Sequence, residues 1–292
     1  MAKRFTGYQI FINIVLMLVT IGMTLPLLLL FMSSITDEST LIVNGYSFFP
    51  QKFSLGAYEY ILMNFETILR AYGITIISTV IGTACGLLFT SLLAFPLSLP
   101  DLPGKKPLNF LIFFTMLFNG GLVPTYIMWT GLGVKNTLLA YILPTLLVNA
   151  FNVILVRTYY TTNIPTAIYE AAKIDGAGYF CIYRKIVLPL GKPILVTIGL
   201  FTGLNYWNDW TNGLYYVNES KMLSIQTFLN KMMQDIQALS ANPSMSSGST
   251  VNIPQVSIRM AVAFVALLPI LVIYPMLQKY FADGIMLGAV KG

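Results

Sequence analysis

The chain has 292 residues, of which 56% are apolar and 10% charged, and its mean hydropathy is +0.74. A soluble globular domain carries roughly 25% charged side chains, so this composition excludes a water-soluble fold and places the chain in a bilayer. The net charge of +6 calls for no nucleic-acid partner, because anionic inner-leaflet lipid accounts for it, and the absence of histidine removes Ser-His-Asp triads, histidine-ligated metals and histidine proton relays.

A hydrocarbon core of about 30 Å needs around 20 helical residues. Six apolar runs reach that length, at residues 10–32, 71–95, 108–130, 137–156, 194–210 and 260–278. They are continuous rather than alternating, which reads as helices and not as barrel strands. The expected fold class is therefore all-α, a polytopic membrane protein with six transmembrane helices. Lys3 and Arg4 precede the first run as they would in a signal peptide. That run is too long for a signal core, however, and no A-x-A site follows near Ser33 and Ser34, so it is a retained span.

Between the first two runs, Phe48, Phe49, Pro50 and Phe53 precede an amphipathic stretch at 58–69, which predicts a short arm and a helix on the outer surface. Residues 221–239 predict a second outer helix and 241–251 a flexible Asn-Pro, Ser and Gly loop. Cys85 falls mid-span and Cys181 in a polar segment, so they are read as packing residues and not as a disulfide. The division expected along the chain is 1–70 for the first span and outer segment, 71–280 for a five-helix core with a coupling loop at 163–190, and 281–292 for a tail.

Eleven of the 17 Lys and Arg residues fall on one side if the N-terminus is cytoplasmic: Lys3, Arg4, Lys105, Lys106, Arg157, Lys173, Arg184, Lys185, Lys192, Lys279 and Lys291. The positive-inside bias then puts both termini and the segment 170–189 in the cytoplasm. The cores of the runs hold no Asp, Glu, Lys or Arg; only Arg70, Asp209 and Arg259 approach their outer ends. An ion-coupled carrier commonly places a carboxylate at membrane depth, and a membrane-embedded enzyme needs a nucleophile with a base. Both stay as alternative readings, each short of residues. Neither Gly104-Lys105-Lys106 nor Gly191-Lys192-Pro193 completes a phosphate-binding loop, so the chain does not hydrolyse nucleotide alone.

Residues 170–189 read EAAKIDGAGYFCIYRKIVLP, a polar island among apolar runs. Pro165 suits a first helical turn and Gly176 a left-handed helix end, which predicts a helix–turn–helix. Ala171 and Ala172 offer a small-residue face to a partner's groove, and Glu170 and Asp175 offer carboxylates to basic groups. Pro189 and Pro193 break the chain before the fifth run.

The spacing of Glu170-Ala171-Ala172, Gly176, Ile186 and Leu188-Pro189 resembles the EAA loop of binding-protein-dependent ABC importer permeases. Asn119-Gly120-Gly121 with Pro124, Asn136-Thr137, Trp207-Asn208 and the ending 284–292 are similar to its carbohydrate-uptake branch, the maltose-like and lipoprotein-named sugar permeases.

The resemblance implies a type I importer transmembrane domain in a bacterial cytoplasmic membrane. It implies a sibling permease, two ATPase subunits and an extracytoplasmic binding protein as partners, the last docking on the outer arm. ATP and Mg are then held by the ATPase, and this chain carries no catalytic, cofactor or metal residue. Glu170, Ala171, Ala172, Asp175, Gly176, Ile186, Leu188 and Pro189 form the coupling element, and the tail 284–292 also reaches the ATPases. Asn205, Tyr206, Trp207, Asn208 and Asp209, with Asn119 and Tyr126, are candidate lining of an oligosaccharide path, because aromatic faces stack on sugars and amides bond hydroxyls. Tyr206 and Trp207 equally suit an interfacial aromatic belt. A neutral oligosaccharide is the default cargo, and an acidic uronate chain is the other.

Overall fold

A computed structural model of the chain describes residues 7–144, 147–241 and 255–289. It is 79% helical, and its only β-type pairing among the described residues is an isolated bridge between Thr36 and Phe53. Two compact units divide the chain: Met1–Ile68 with Leu229–Leu271, and Leu69–Phe228 with Val272–Gly292.

In the first unit, α1 (Gly7–Ser34) is apolar on every side, and none of its most apolar stretch is buried. An all-round apolar helix that packs only at its C-terminal end, where Phe31 meets Phe264 and Ser34 bonds Tyr58, is a lipid-facing one. Thr20 and Thr24 satisfy their hydroxyls on backbone carbonyls of the preceding turn, at Leu16 and at Thr20 and Ile21, as hydrocarbon demands. The outer segment then folds as α2 (Glu38–Asn44) and α3 (Gly56–Met63). Asp37 caps α2 by accepting from the Ser39 amide, and its carboxyl is held below the ordinary range by Ser39 and then by Lys52, 3.2 Å away. Glu38 reaches the last helix of the chain, Gln255–Ala289, accepting from the amides of Val256 (2.9 Å) and Ser257 (2.8 Å) and from the Ser257 hydroxyl (2.7 Å). One carboxylate so caps a helix 218 positions away, where the exposed N–H groups and the helix dipole favour negative charge. The amphipathic stretch expected at 58–69 is divided, since α3 ends at Met63 and the next helix begins at Phe65.

The second unit is built on α4 (Phe65–Ser98), 34 residues long. It continues through α5 (Lys105–Leu117), α6 (Leu122–Gly131), α7 (Leu139–Ile142), α8 (Ala150–Asn163), α9 (Thr166–Ile174) and α10 (Tyr179–Ile182). A π turn (Tyr183–Val187) leads into α11 (Leu188–Leu190), followed by α12 (Lys192–Trp207) and α13 (Thr211–Tyr216); of the last two helices, most of α14 (Ile225–Ala241) and the first half of α15 (Gln255–Ala289) are counted in the first unit. Among the described residues, α1 and α4 are each long and apolar enough to span alone. The pair α5 and α6, bent by 111°, and the pair Tyr179–Leu190 and Lys192–Trp207, bent by 78°, reach that length only together.

Two expected spans are therefore not single helices. The run 108–130 breaks at Phe118–Gly121, where Gly121 adopts φ 89° and the Asn119 side chain accepts from its amide (2.9 Å). The run 137–156 breaks after Leu143, and Asn149 starts α8 afresh by accepting from the Asn152 amide (3.2 Å). The Pro144 carbonyl at the break accepts from the Asn212 side chain (3.0 Å). Hydropathy alone does not register either break.

Helices α4 and α12 approach closely because both present glycines at four-residue spacing: Gly82 and Gly86 on α4, Gly199 and Gly203 on α12. A Cβ on Gly82 would lie 2.4 Å from the Tyr206 ring, and one on Gly199 would lie 3.0 Å from Leu87. Small residues at this spacing let membrane helices gain backbone contact and dispersion energy where no hydrophobic effect is available.

Candidate functional site

Helix α9 starts after Pro165 and ends in a Schellman motif. The Ala177 amide donates to the Ala172 carbonyl (2.9 Å) and the Gly176 amide to the Lys173 carbonyl (3.0 Å), with Gly176 at φ 76°. That geometry needs a left-handed residue, which glycine adopts without penalty. The helix is amphipathic: Tyr169 and Ala172 are buried, while Ala167, Ile168, Glu170, Ala171, Ile174 and Asp175 are exposed. Tyr169 and Ala172 join one core with Phe95 of α4 and Leu99 just after it, Val156 and Tyr160 of α8, Tyr183 and Val187 of the π turn and Ile198 of α12. Phe95 lies between the rings of Tyr169 (6.4 Å) and Tyr183 (5.6 Å), and Tyr183 hydrogen-bonds Ser91.

The small-residue surface expected from two alanines is thus corrected to one. Ala172 faces the protein because its carbonyl closes the helix end and its methyl packs into the core; Ala171 faces outward. Ile186 and Leu188 are half-buried against the same core, so they seat the segment, and only Pro189 of that part of the motif is exposed. Pro189 has no N–H to give, and the wider π turn lies immediately before it. The break expected at the prolines falls between them, at Gly191, where a Cβ would meet the Tyr160 ring at 2.5 Å. Ile174 is 87% and Phe180 72% exposed, an apolar rim on the coupling segment left uncovered by the described residues. An apolar cavity of about 530 Å³ opens beside it, lined by Leu92, Phe95, Leu102, Lys173, Tyr179 and Phe180.

The candidate path residues divide sharply. Tyr206 is buried, its hydroxyl donating to the Ile142 carbonyl (2.9 Å) and its ring covering Gly82. Trp207 is buried beside Tyr72, with ring centroids 6.5 Å apart. Both are corrected from path to packing residues, because these contacts consume the faces a sugar would stack on. Asp209 is also taken: its two carboxylate oxygens accept from the Asn212 amide (3.1 Å) and side chain (2.9 Å) and so start α13. Asn205, in the last turn of α12, and Asn208, one residue past its end, stay exposed; the Asn208 side-chain amide donates to the Leu204 carbonyl (3.0 Å) and accepts from Gln226 (3.5 Å). Asn119 is exposed but bonds its own loop, and Tyr126 stacks on Tyr216 at 5.8 Å rather than joining the asparagines.

A buried polar knot that the sequence reading missed closes this end of the unit. The Tyr141 hydroxyl donates to the Met222 carbonyl (3.1 Å) and accepts from the Ser224 amide (3.0 Å), while Thr75 accepts from the Ile225 amide (2.9 Å). Asn136, at φ 55°, holds the neighbouring loop by accepting from the Asn218 amide (2.7 Å). Its detectable signal was an asparagine where a left-handed residue is needed. Paired four-residue glycine spacings on α4 and α12 were the signal for the helix contact. Of the two calls beyond the coupling loop, residues 284–289 continue α15, whereas 290–292 and most of the 241–251 loop lie outside the described residues.

The family described as binding-protein-dependent transport system inner membrane component matches residues 71–287. The chain belongs to this family. It is 40% identical over 269 residues, covering 92% of each chain, to the polygalacturonan/rhamnogalacturonan transport system permease protein YtcP of Bacillus subtilis (strain 168). It is 37% identical to protein LplC of the same organism, over 92% of this chain and 89% of that one. Among solved structures it is similar to a chain in the crystal structure of a bacterial ABC transporter involved in the import of the acidic polysaccharide alginate. There the TM-score is 0.78 at 26% identity, covering 96% of this chain and all of the other. The protein is therefore a membrane permease subunit of an ABC importer with the type I transmembrane fold, and not an enzyme by itself. A transport system of this family depends on a binding protein and, as an ABC transporter, on an ATPase. The ion-coupled and enzymatic alternatives are set aside.

Proposed function

We propose that this subunit passes acidic, uronate-bearing oligosaccharides into the cytoplasm. The observation that carries the proposal is the 40% identity along 92% of both chains to a polygalacturonan/rhamnogalacturonan permease. The likeness to the alginate importer supports the same substrate class. The neutral default drawn from uncharged spans finds no specific support in these relatives. In this reading the exposed amides contact sugar hydroxyls and the carboxylates are met by the sibling permease of a heterodimer.

Power enters through α9. Its exposed Ala171 and Ile174 enter a cleft of the ATPase while Glu170 pairs with a basic group there, and the Phe95, Tyr169 and Tyr183 stack passes the motion to α4. ATP and Mg are bound by the ATPase. Closure of the ATPases shifts the spans between inward-open and outward-open states only because ATP and substrate each prefer one state. Both termini and α9 face the cytoplasm.

The test is uptake by vesicles holding the complete transporter and its binding protein. Trigalacturonate is expected to enter with ATP at a rate at least tenfold above raffinose. Raffinose entering faster than trigalacturonate would refute the acidic assignment, and uptake driven by an ion gradient without ATP would refute the coupling.

A further inference from the structure

Arg184, inside the coupling segment, and Lys192, just beyond it, are not among its motif positions. Both are exposed, and among the described residues neither makes a hydrogen bond or ion pair. They line a cavity of about 430 Å³ whose remaining wall is Leu87 of α4, Leu188 and the coupling residue Pro189, and Leu195, Val196 and Gly199 of α12. Its shape follows from the fold. The chain turns by 78° at Gly191, and α12 then lies close against α4, with Gly199 facing Leu87. No Asp or Glu lines it.

The two halves of the cavity ask for one kind of occupant. A free phosphate or an acidic peptide would answer the cations and leave the leucines bare. A neutral lipid would cover the leucines and leave two desolvated cations. We propose that the cavity holds one anionic phospholipid. Its phosphate sits against the Arg184 guanidinium and the Lys192 ammonium, and an acyl chain runs along Leu87, Leu188, Leu195 and Val196. Guanidinium groups match phosphate oxygens in pairs, and basic pockets between membrane helices recognise anionic headgroups. The leaflet follows from the orientation proposed above, whereas binding itself does not depend on it.

The complete transporter is reconstituted in nanodiscs of equal phosphatidylglycerol and phosphatidylcholine, extracted in mild detergent and weighed by native mass spectrometry. Wild type is expected to retain phosphatidylglycerol on this subunit in at least tenfold preference. The Arg184→Gln/Lys192→Gln variant should lose that preference, and Arg184→Lys/Lys192→Arg should keep it. If the double variant fails to assemble, Lys192→Gln alone should reduce retention at least threefold. Glu170→Lys, weighed as the permease pair without its ATPase, should retain the lipid as fully as wild type weighed in the same way, which separates this proposal from the coupling reading. Equal retention of the two lipids by wild type, undiminished retention by the Gln variants, or a cross-link from Lys192 to a sibling or ATPase residue would each overturn it.

Discussion

At the scale of single residues, neighbouring alanines of one motif have opposite surroundings. Ala172 is 8% exposed in a core that includes Phe95 and Tyr160, whereas Ala171 is open to solvent. Adding three carbons at Ala172 overpacks that core at a cost of about 1–3 kcal/mol. The same change at the exposed Ala171 leaves that core untouched and clashes with a docked partner. Ala172→Leu is thus expected to lower the melting temperature of the purified subunit. Ala171→Leu should leave it unchanged while the ATPase no longer co-purifies. Glu170→Lys should join the second class, because reversing one member of a buried charge pair costs about 2–5 kcal/mol, enough for at least a tenfold loss of affinity. The coupling assignment fails if all three variants melt normally and hold the ATPase as wild type does.

At the scale of helices, what the sequence made legible was apolar length. The runs at 10–32 and 71–95 lie inside α1 and α4, since hydropathy averaged over many residues reports lipid-facing surface. The breaks at 118–121 and after Leu143 escaped because they are set by backbone hydrogen bonds. One is local, between Asn119 and Gly121, and the other joins Pro144 to a residue 68 positions on. The coupling helix was readable because Gly176 and the motif spacing encode a helix with a defined end. Tyr206 and Trp207 were misplaced because an aromatic near a membrane surface fits a sugar path and a packing contact equally well until its neighbour, Gly82, is known. That neighbour is testable. The Tyr206 ring is pinned by its bond to Ile142, so Gly82→Leu must force α4 and α12 apart, whereas a Cβ on Gly203 meets Thr83 at an ordinary 3.5 Å. Thermal melts in detergent should show Gly82→Leu strongly destabilised and Gly203→Ala near wild type. The reverse order would mean that the glycine faces do not hold this contact.

At the scale of the whole molecule, orientation links the charge pattern to the uncovered rim of α9. Eleven of 17 basic residues share the proposed cytoplasmic side, and the exposed Ile174 and Phe180 lie on that side too. An exposed apolar rim is costly in water, so it is expected to be covered whenever the ATPase is present. Single cysteines in a Cys85→Ser/Cys181→Ser background separate these statements. Lys135→Cys, exposed in a segment assigned to the outside, should react with a membrane-impermeant maleimide in intact cells. Ala171→Cys should react only after permeabilisation, and then only in cells lacking the ATPase subunit. Labelling of Ala171→Cys from outside would invert the topology. Equal labelling with and without the ATPase, once permeabilised, would leave the topology standing and remove α9 as the docking element, because a covered thiol has no route to the reagent.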